Sequence, residues 1–70
     1  MANFHKVNKI LNKMYPDLDV IVIRGEGYVY FTGLDSERLN IESIMTHPVS
    51  TDTHALINMC ISEINEGLKS

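Results

Sequence analysis

The residues of this 70-residue chain whose types could do chemistry are three histidines, one cysteine and nine carboxylates. A zinc-binding helix carries two histidines at i and i+4, and neither His5, His47 nor His54 has such a neighbour. His47 and His54 could meet near the start of the last helical segment. A metal would still need further ligands and an ordered second layer of partners, so no metal and no cofactor are expected. A nucleophilic Cys60–His54 pair fails on direction, because the helical period puts the two side chains on different faces. Cys60 instead reads as a small buried hydrophobe in a reducing compartment. The carboxylates are scattered, and no Ser or Thr sits in a strand–turn–helix nucleophile elbow. Catalysis is not expected. The run Arg24-Gly25-Glu26-Gly27-Tyr28 shares its glycines with phosphate-cradling loops. It has neither the third glycine nor the following helix that give those loops their donors and dipole. A hairpin turn accounts for both glycines without a ligand. Arg24 stays a candidate anion contact.

Charge is unevenly distributed. Residues 1–14 hold Lys6, Lys9 and Lys13 and no acid, while Arg24, Arg38 and Lys69 face all nine carboxylates in the rest, for a net charge of −3. A basic first segment on an acidic body argues against a general nucleic-acid binder. The lysines either solvate a helix face or form a nucleic-acid contact, and the first reading is preferred.

The elements that must position these residues follow from periodicity. Phe4, Val7, Ile10, Leu11 and Met14 recur at helical steps, with Asn3 as N-cap and Tyr15-Pro16-Asp17 as the stop. Leu18 to Arg24 and Tyr28 to Thr32 are β-branched and aromatic and read as strands. Taking Gly25-Glu26 as a type II′ loop puts positive φ on Gly25 and sets a register. Arg24 then faces Gly27, Ile23 faces Tyr28, Val22 faces Val29, Ile21 faces Tyr30, and Val20 faces Phe31. Residues from about Ile41 to Thr46 form a third strand in this reading, with a short helix within Ser36 to Met45 as the alternative. His47-Pro48 breaks either one. Ser50-Thr51-Asp52 supplies N-cap chemistry for a final helix of about fifteen residues, with Gly67 as its C-terminal αL glycine. The predicted fold is α+β: one domain over residues 1–70, a three-stranded antiparallel meander with an N-terminal and a C-terminal helix on one face. The longest apolar run, Val20-Ile21-Val22-Ile23, is far short of the ~18 residues a membrane span needs, and no secretory signal is expected.

Strand alternation sorts the hairpin into two faces. One shows Leu18, Val20, Val22, Val29 and Phe31. The other shows Asp19, Ile21, Ile23, Tyr28, Tyr30 and Thr32. One-sided antiparallel sheets normally turn polar residues to water. Here Ile21, Ile23, Tyr28 and Tyr30 are adjacent on the outer face, and such a patch marks an interface or ligand site unless the two helices divide between the faces. A chain of this size buries only about 60% of the surface its unfolded form exposes, and Cys60 has no cysteine to bridge to. Pairing with another chain is the remaining route to stability.

The segment Asp19-Val20-Ile21-Val22-Ile23-Arg24-Gly25-Glu26-Gly27-Tyr28-Val29-Tyr30-Phe31 resembles the core of a family of small proteins of tailed bacteriophages. That family carries a Lys/Arg-Gly-Glu-Gly-Tyr-Phe-Tyr-Phe-like hairpin, a third strand, a polar turn and a closing helix. Ser43-Ile44-Met45-Thr46 and the helix from about Thr51 would fill the last places, so the likeness covers roughly residues 4 to 66, with the hairpin its specific part. This chain departs from the family in lacking aromatics on the third strand and a tryptophan on the final helix. The resemblance implies a phage origin and the α-β-β-β-α layout, and it carries over no activity.

The expected function is that of a non-catalytic, homo-oligomeric bacteriophage accessory protein in the host cytoplasm, inhibiting a host defence system by binding a host protein or sequestering a small nucleotide signal. Its alternative is a nucleic-acid-binding regulator using Lys6, Lys9 and Lys13. No membrane partner is expected.

Overall fold

In the computed structural model, which describes residues 1–69, Asn3 stands at the start of helix α1 (Phe4–Met14) and its side chain accepts the Lys6 N–H. That bond satisfies one of the donors a helix start leaves open. Tyr15 closes the helix through its N–H to Leu11, before Pro16. The chain then extends into β1 (Ile21–Arg24), reverses, and returns as β2 (Val29–Thr32). A five-residue helix α2 (Leu34–Arg38) follows, then β3 (Ser43–Ile44) and the long helix α3 (Thr53–Lys69). Asp52 caps α3 by accepting the Ala55 N–H at 2.7 Å. The strands form one antiparallel sheet in the order β1-β2-β3. The α+β layout is the expected one, with α2 added between the second and third strands.

Val7 and Leu11 of α1, Val22, Val29 and Phe31 of the sheet, and Leu56, Ile57, Cys60 and Ile64 of α3 belong to one buried cluster. Both long helices therefore share a single core with one face of the sheet. Full burial of each such aliphatic side chain contributes about 1.5–3 kcal/mol, which makes this face the main source of stability. The termini of α1 are tied to α3 by polar contacts, Asn3 N–H to the Thr53 hydroxyl at 3.0 Å and the Tyr15 hydroxyl to Asn65 at 3.0 Å.

Four local expectations are corrected. The observed register pairs Ile21 with Thr32, Val22 with Phe31, Ile23 with Tyr30 and Arg24 with Val29. It is two residues away from the expected one, so the reversal lies at Glu26-Gly27, and Gly25 donates its N–H to the Tyr28 carbonyl at 2.9 Å. Positive φ falls on Gly27 (+80°), not on Gly25. Gly25 is small for another reason: a Cβ there would come within 3.0 Å of the Tyr28 ring, which lies over it. Such an aromatic covering a strand glycine favours this register over the expected one.

The first two strands are shorter than predicted, and the third is shorter still. Ile41 is buried and Glu42 only accepts the Phe31 N–H, leaving Ser43–Ile44 as β3. Part of the Ser36–Met45 stretch is spent on α2, whose start is capped from far away in sequence by Asp19 accepting the Leu34 N–H at 3.0 Å. Asp35 returns the contact by accepting the Asp19 N–H. Finally, Gly67 is not a helix-ending αL residue. It lies buried inside α3, where a Cβ would come within 2.9 Å of Leu39, so its smallness lets the segment after α2 dock on the helix.

Candidate functional site: an open sheet face

An even slip in register preserves the side to which every strand residue points, because side chains alternate with a period of two. Ile21, Ile23, Tyr28 and Tyr30 accordingly share the face opposite the core. Ile23 stands across from Tyr30, which stands across from Ser43 on β3. Ile21 stands across from Thr32. Tyr28 and Tyr30 are tilted neighbours with ring centroids 5.9 Å apart. Ile21 is 43% exposed and Tyr28 36%, while Ile23 and Tyr30 are half-buried by their neighbours on the sheet. Met45, one step beyond β3, is 79% exposed at the turn in which Thr46 bonds back to Ile44. The face thus presents aliphatic and aromatic surface together with the Thr32 and Ser43 hydroxyls.

Arg24 is not part of this face. It stands across from Val29 on the core side of the sheet, at its end, and its guanidinium donates to the Met1 sulfur at 3.4 Å. A shallow groove of about 780 Å³ wraps the hairpin end, lined by Arg24 to Tyr28, Tyr30 and the His47-Pro48-Val49 loop. There the Arg24 cation and the Glu26 carboxylate bring opposite charges to the same groove, so it has no net preference for an anion. Lys6, Lys9 and Lys13 are exposed on α1. Helix α1 packs on the core side and along the edge of β1, where Lys9 lines a groove together with Ile21 of the open face.

The other reactive groups are held apart. His5, His47 and His54 are exposed, and among the described residues no three of His, Cys, Asp and Glu cluster closely enough to hold a metal ion. Cys60 is fully buried, and loss of water, reinforced by the Glu63 charge, pushes its thiol up to about 12. It is a neutral thiol packed in the core. Asp35 is held below its ordinary value of 3.8, first by the Asp19 N–H and then by Arg38, whose Nε lies 2.7 Å from its carboxylate. This carboxylate is a structural clasp between α2 and the segment that leads into β1.

Two features of the site were not found from sequence. Met45 is exposed at the end of the sheet, where β3 stops at Ile44. Asn8, on the flank of the apolar stripe of α1, bonds both backbone groups of Val22. A carboxamide beside an apolar stripe was the only sign of it in the sequence. No protein-family model, curated protein or solved structure matches this chain. Among the described residues no helix is long and apolar enough to cross a membrane.

Proposed function

We propose that this protein acts by binding rather than by catalysis, and that the partner of its open sheet face is a second copy of itself. The observation that carries the proposal is the contiguity of Ile21, Ile23, Tyr28 and Tyr30 on a face that neither long helix covers. A stable pair buries about 800 Å² on each partner, roughly a sixth of the 4534 Å² surface of this chain. The four side chains therefore pair together with Thr32, Ser43 and the surface around them. A second copy fits better than nucleic acid, because the strand residues of the face are apolar or uncharged and Lys9 meets it only at its border, beside Ile21.

The hairpin likeness to small proteins of tailed phages sets the wider proposal. In it the paired protein is a phage accessory factor in the host cytoplasm that blocks a host defence system, by docking on a host protein or by holding a small nucleotide signal. The tyrosine hydroxyls and ring faces at the pair's margin are the groups that would meet an aromatic ligand. The exposed Lys6, Lys9 and Lys13 favour a second reading, a nucleic-acid-binding regulator. Native mass spectrometry of the protein taken directly from lysate tests both. A defined pair, with or without a retained small molecule, supports the first. A monomer that binds DNA in a steeply salt-dependent manner supports the second and removes the first.

A further inference from the structure

A sheet of three strands has two free edges, and an unguarded edge is a template for another chain. Strand β1 forms one of them, and its sequence invites pairing: Val20-Ile21-Val22-Ile23 is uncharged and wholly β-branched. In an antiparallel ladder, alternate residues turn both backbone polar groups to the same side. Gly25 gives its N–H to Tyr28, so Ile21 and Ile23 turn toward β2 and Val22 turns outward. At that position the Asn8 carboxamide meets it. Asn8 Nδ2 donates to the Val22 carbonyl at 2.9 Å, and Asn8 Oδ1 accepts the Val22 N–H at 2.7 Å. A third bond, Nδ2 to the Phe4 carbonyl at 3.1 Å, ties the side chain to its own helix.

A carboxamide presents the same donor and acceptor as a peptide group. Asn8 therefore stands where the backbone of a neighbouring strand would stand and answers Val22 as that strand would. The other edge needs no such device. Strand β3 is two residues long, and Thr46 turns its N–H back to the Ile44 carbonyl at 2.9 Å. Short edge strands and sharp turns are themselves a defence against pairing.

We infer that Asn8 decides which surface of this protein associates: it closes the edge of β1 and leaves the sheet face as the surface that pairs. The partner it excludes is β1 of a second copy, which would add antiparallel across a two-fold axis with its own Val22 groups facing outward. Closure of the edge stands on the Asn8 geometry alone. Only the statement that the face pairs instead rests on the function proposed above.

The test is Asn8→Ala together with Asn8→Asp. The aspartate matches asparagine in size and still accepts the Val22 N–H, but it has no donor for the Val22 carbonyl. Each variant is compared with the parent by sedimentation at one micromolar concentration, and by hydrogen exchange of the Val22 amide across a dilution series. Both variants are expected to reach at least twice the parent's mass. Their Val22 amide should be protected when concentrated and exposed when dilute, whereas the parent's is protected at every concentration. Folded variants with the parent's mass overturn the inference. So does unfolding of both variants, because Asn8 would then be a strut for α1 rather than an edge guard. A monomeric parent with pairing variants would remove the face-pairing proposal and leave the edge inference standing.

Discussion

Gly33 and Gly27 both sit at positive φ, +111° and +80°, but their surroundings differ. A Cβ at Gly33 would overlap the Asp19 carbonyl oxygen, whereas a Cβ at Gly27 meets nothing within 4 Å. Gly27→Ala therefore carries only the backbone penalty, about 1 kcal/mol. Gly33→Ala adds a clash that forces the segment before β1 away from the start of α2, and about 2 kcal/mol or more is expected. Urea denaturation of the two variants checks the order, and equal midpoints would contradict the contact between Gly33 and Asp19. Cys60 gives a second measurement at this scale. With its thiol buried and pushed up to about 12, alkylation at pH 8 should proceed only as fast as the protein opens. Labelling at the rate of a free thiol would mean that α3 does not pack as described.

Among the elements, the Asp19–Asp35 clasp joins the segment before β1 to α2 and responds to pH in a definite direction. The folded protein holds the Asp35 carboxyl below 3.8, so the unfolded chain takes up its proton first as the pH falls. The stabilisation is complete above 3.8 and is lost as the pH drops through the depressed folded value. Asp35→Asn should be less stable than the parent at neutral pH, and the gap should close only below 3.8. Thermal melts of both proteins across that range read this directly, and a gap that widens in acid would reverse the sign. The same clasp shows where sequence reading stops. Helices α1 and α3 were legible because their apolar period and caps, Asn3 and Asp52, lie within a few residues of each other. The faces of the hairpin were legible because an error of two residues leaves the pleat unchanged. Helix α2 was legible only as an alternative, because Asp19 caps it from fifteen residues upstream. The turn was misplaced because Gly25 and Gly27 both satisfy local rules, and the Tyr28 ring over Gly25 distinguishes them. The Asn8 clamp, also between distant residues, lay outside any local pattern.

For the molecule as a whole, the two sides of the sheet have different consequences when altered. Val22, Val29 and Phe31 hold the helices, whereas Ile21 and Tyr30 lie on the side those helices leave open. A two-fold pair uses each residue twice, so one substitution places two like charges across the interface. Ile21→Glu combined with Tyr30→Glu would bring four carboxylates together where apolar surface is to be buried at about 25 cal/mol per Å². Lys9, which shares a groove with Ile21, answers only part of that charge. Pairing should be abolished, and sedimentation velocity at micromolar concentration should show a monomer where the parent is a pair. Because the core side is untouched, α-helical content by circular dichroism should persist at low temperature. The melting temperature should nevertheless fall and lose its dependence on protein concentration, since a small domain's margin of stability is comparable to what pairing supplies. Salt separates this from the nucleic-acid reading. An apolar pair is held or strengthened by sulfate, while contacts made by Lys6, Lys9 and Lys13 weaken as ions screen them. A parent that sediments as a monomer and melts at the same temperature as the double variant would show that this face is simply tolerated in water, and the proposed pairing would fall with it.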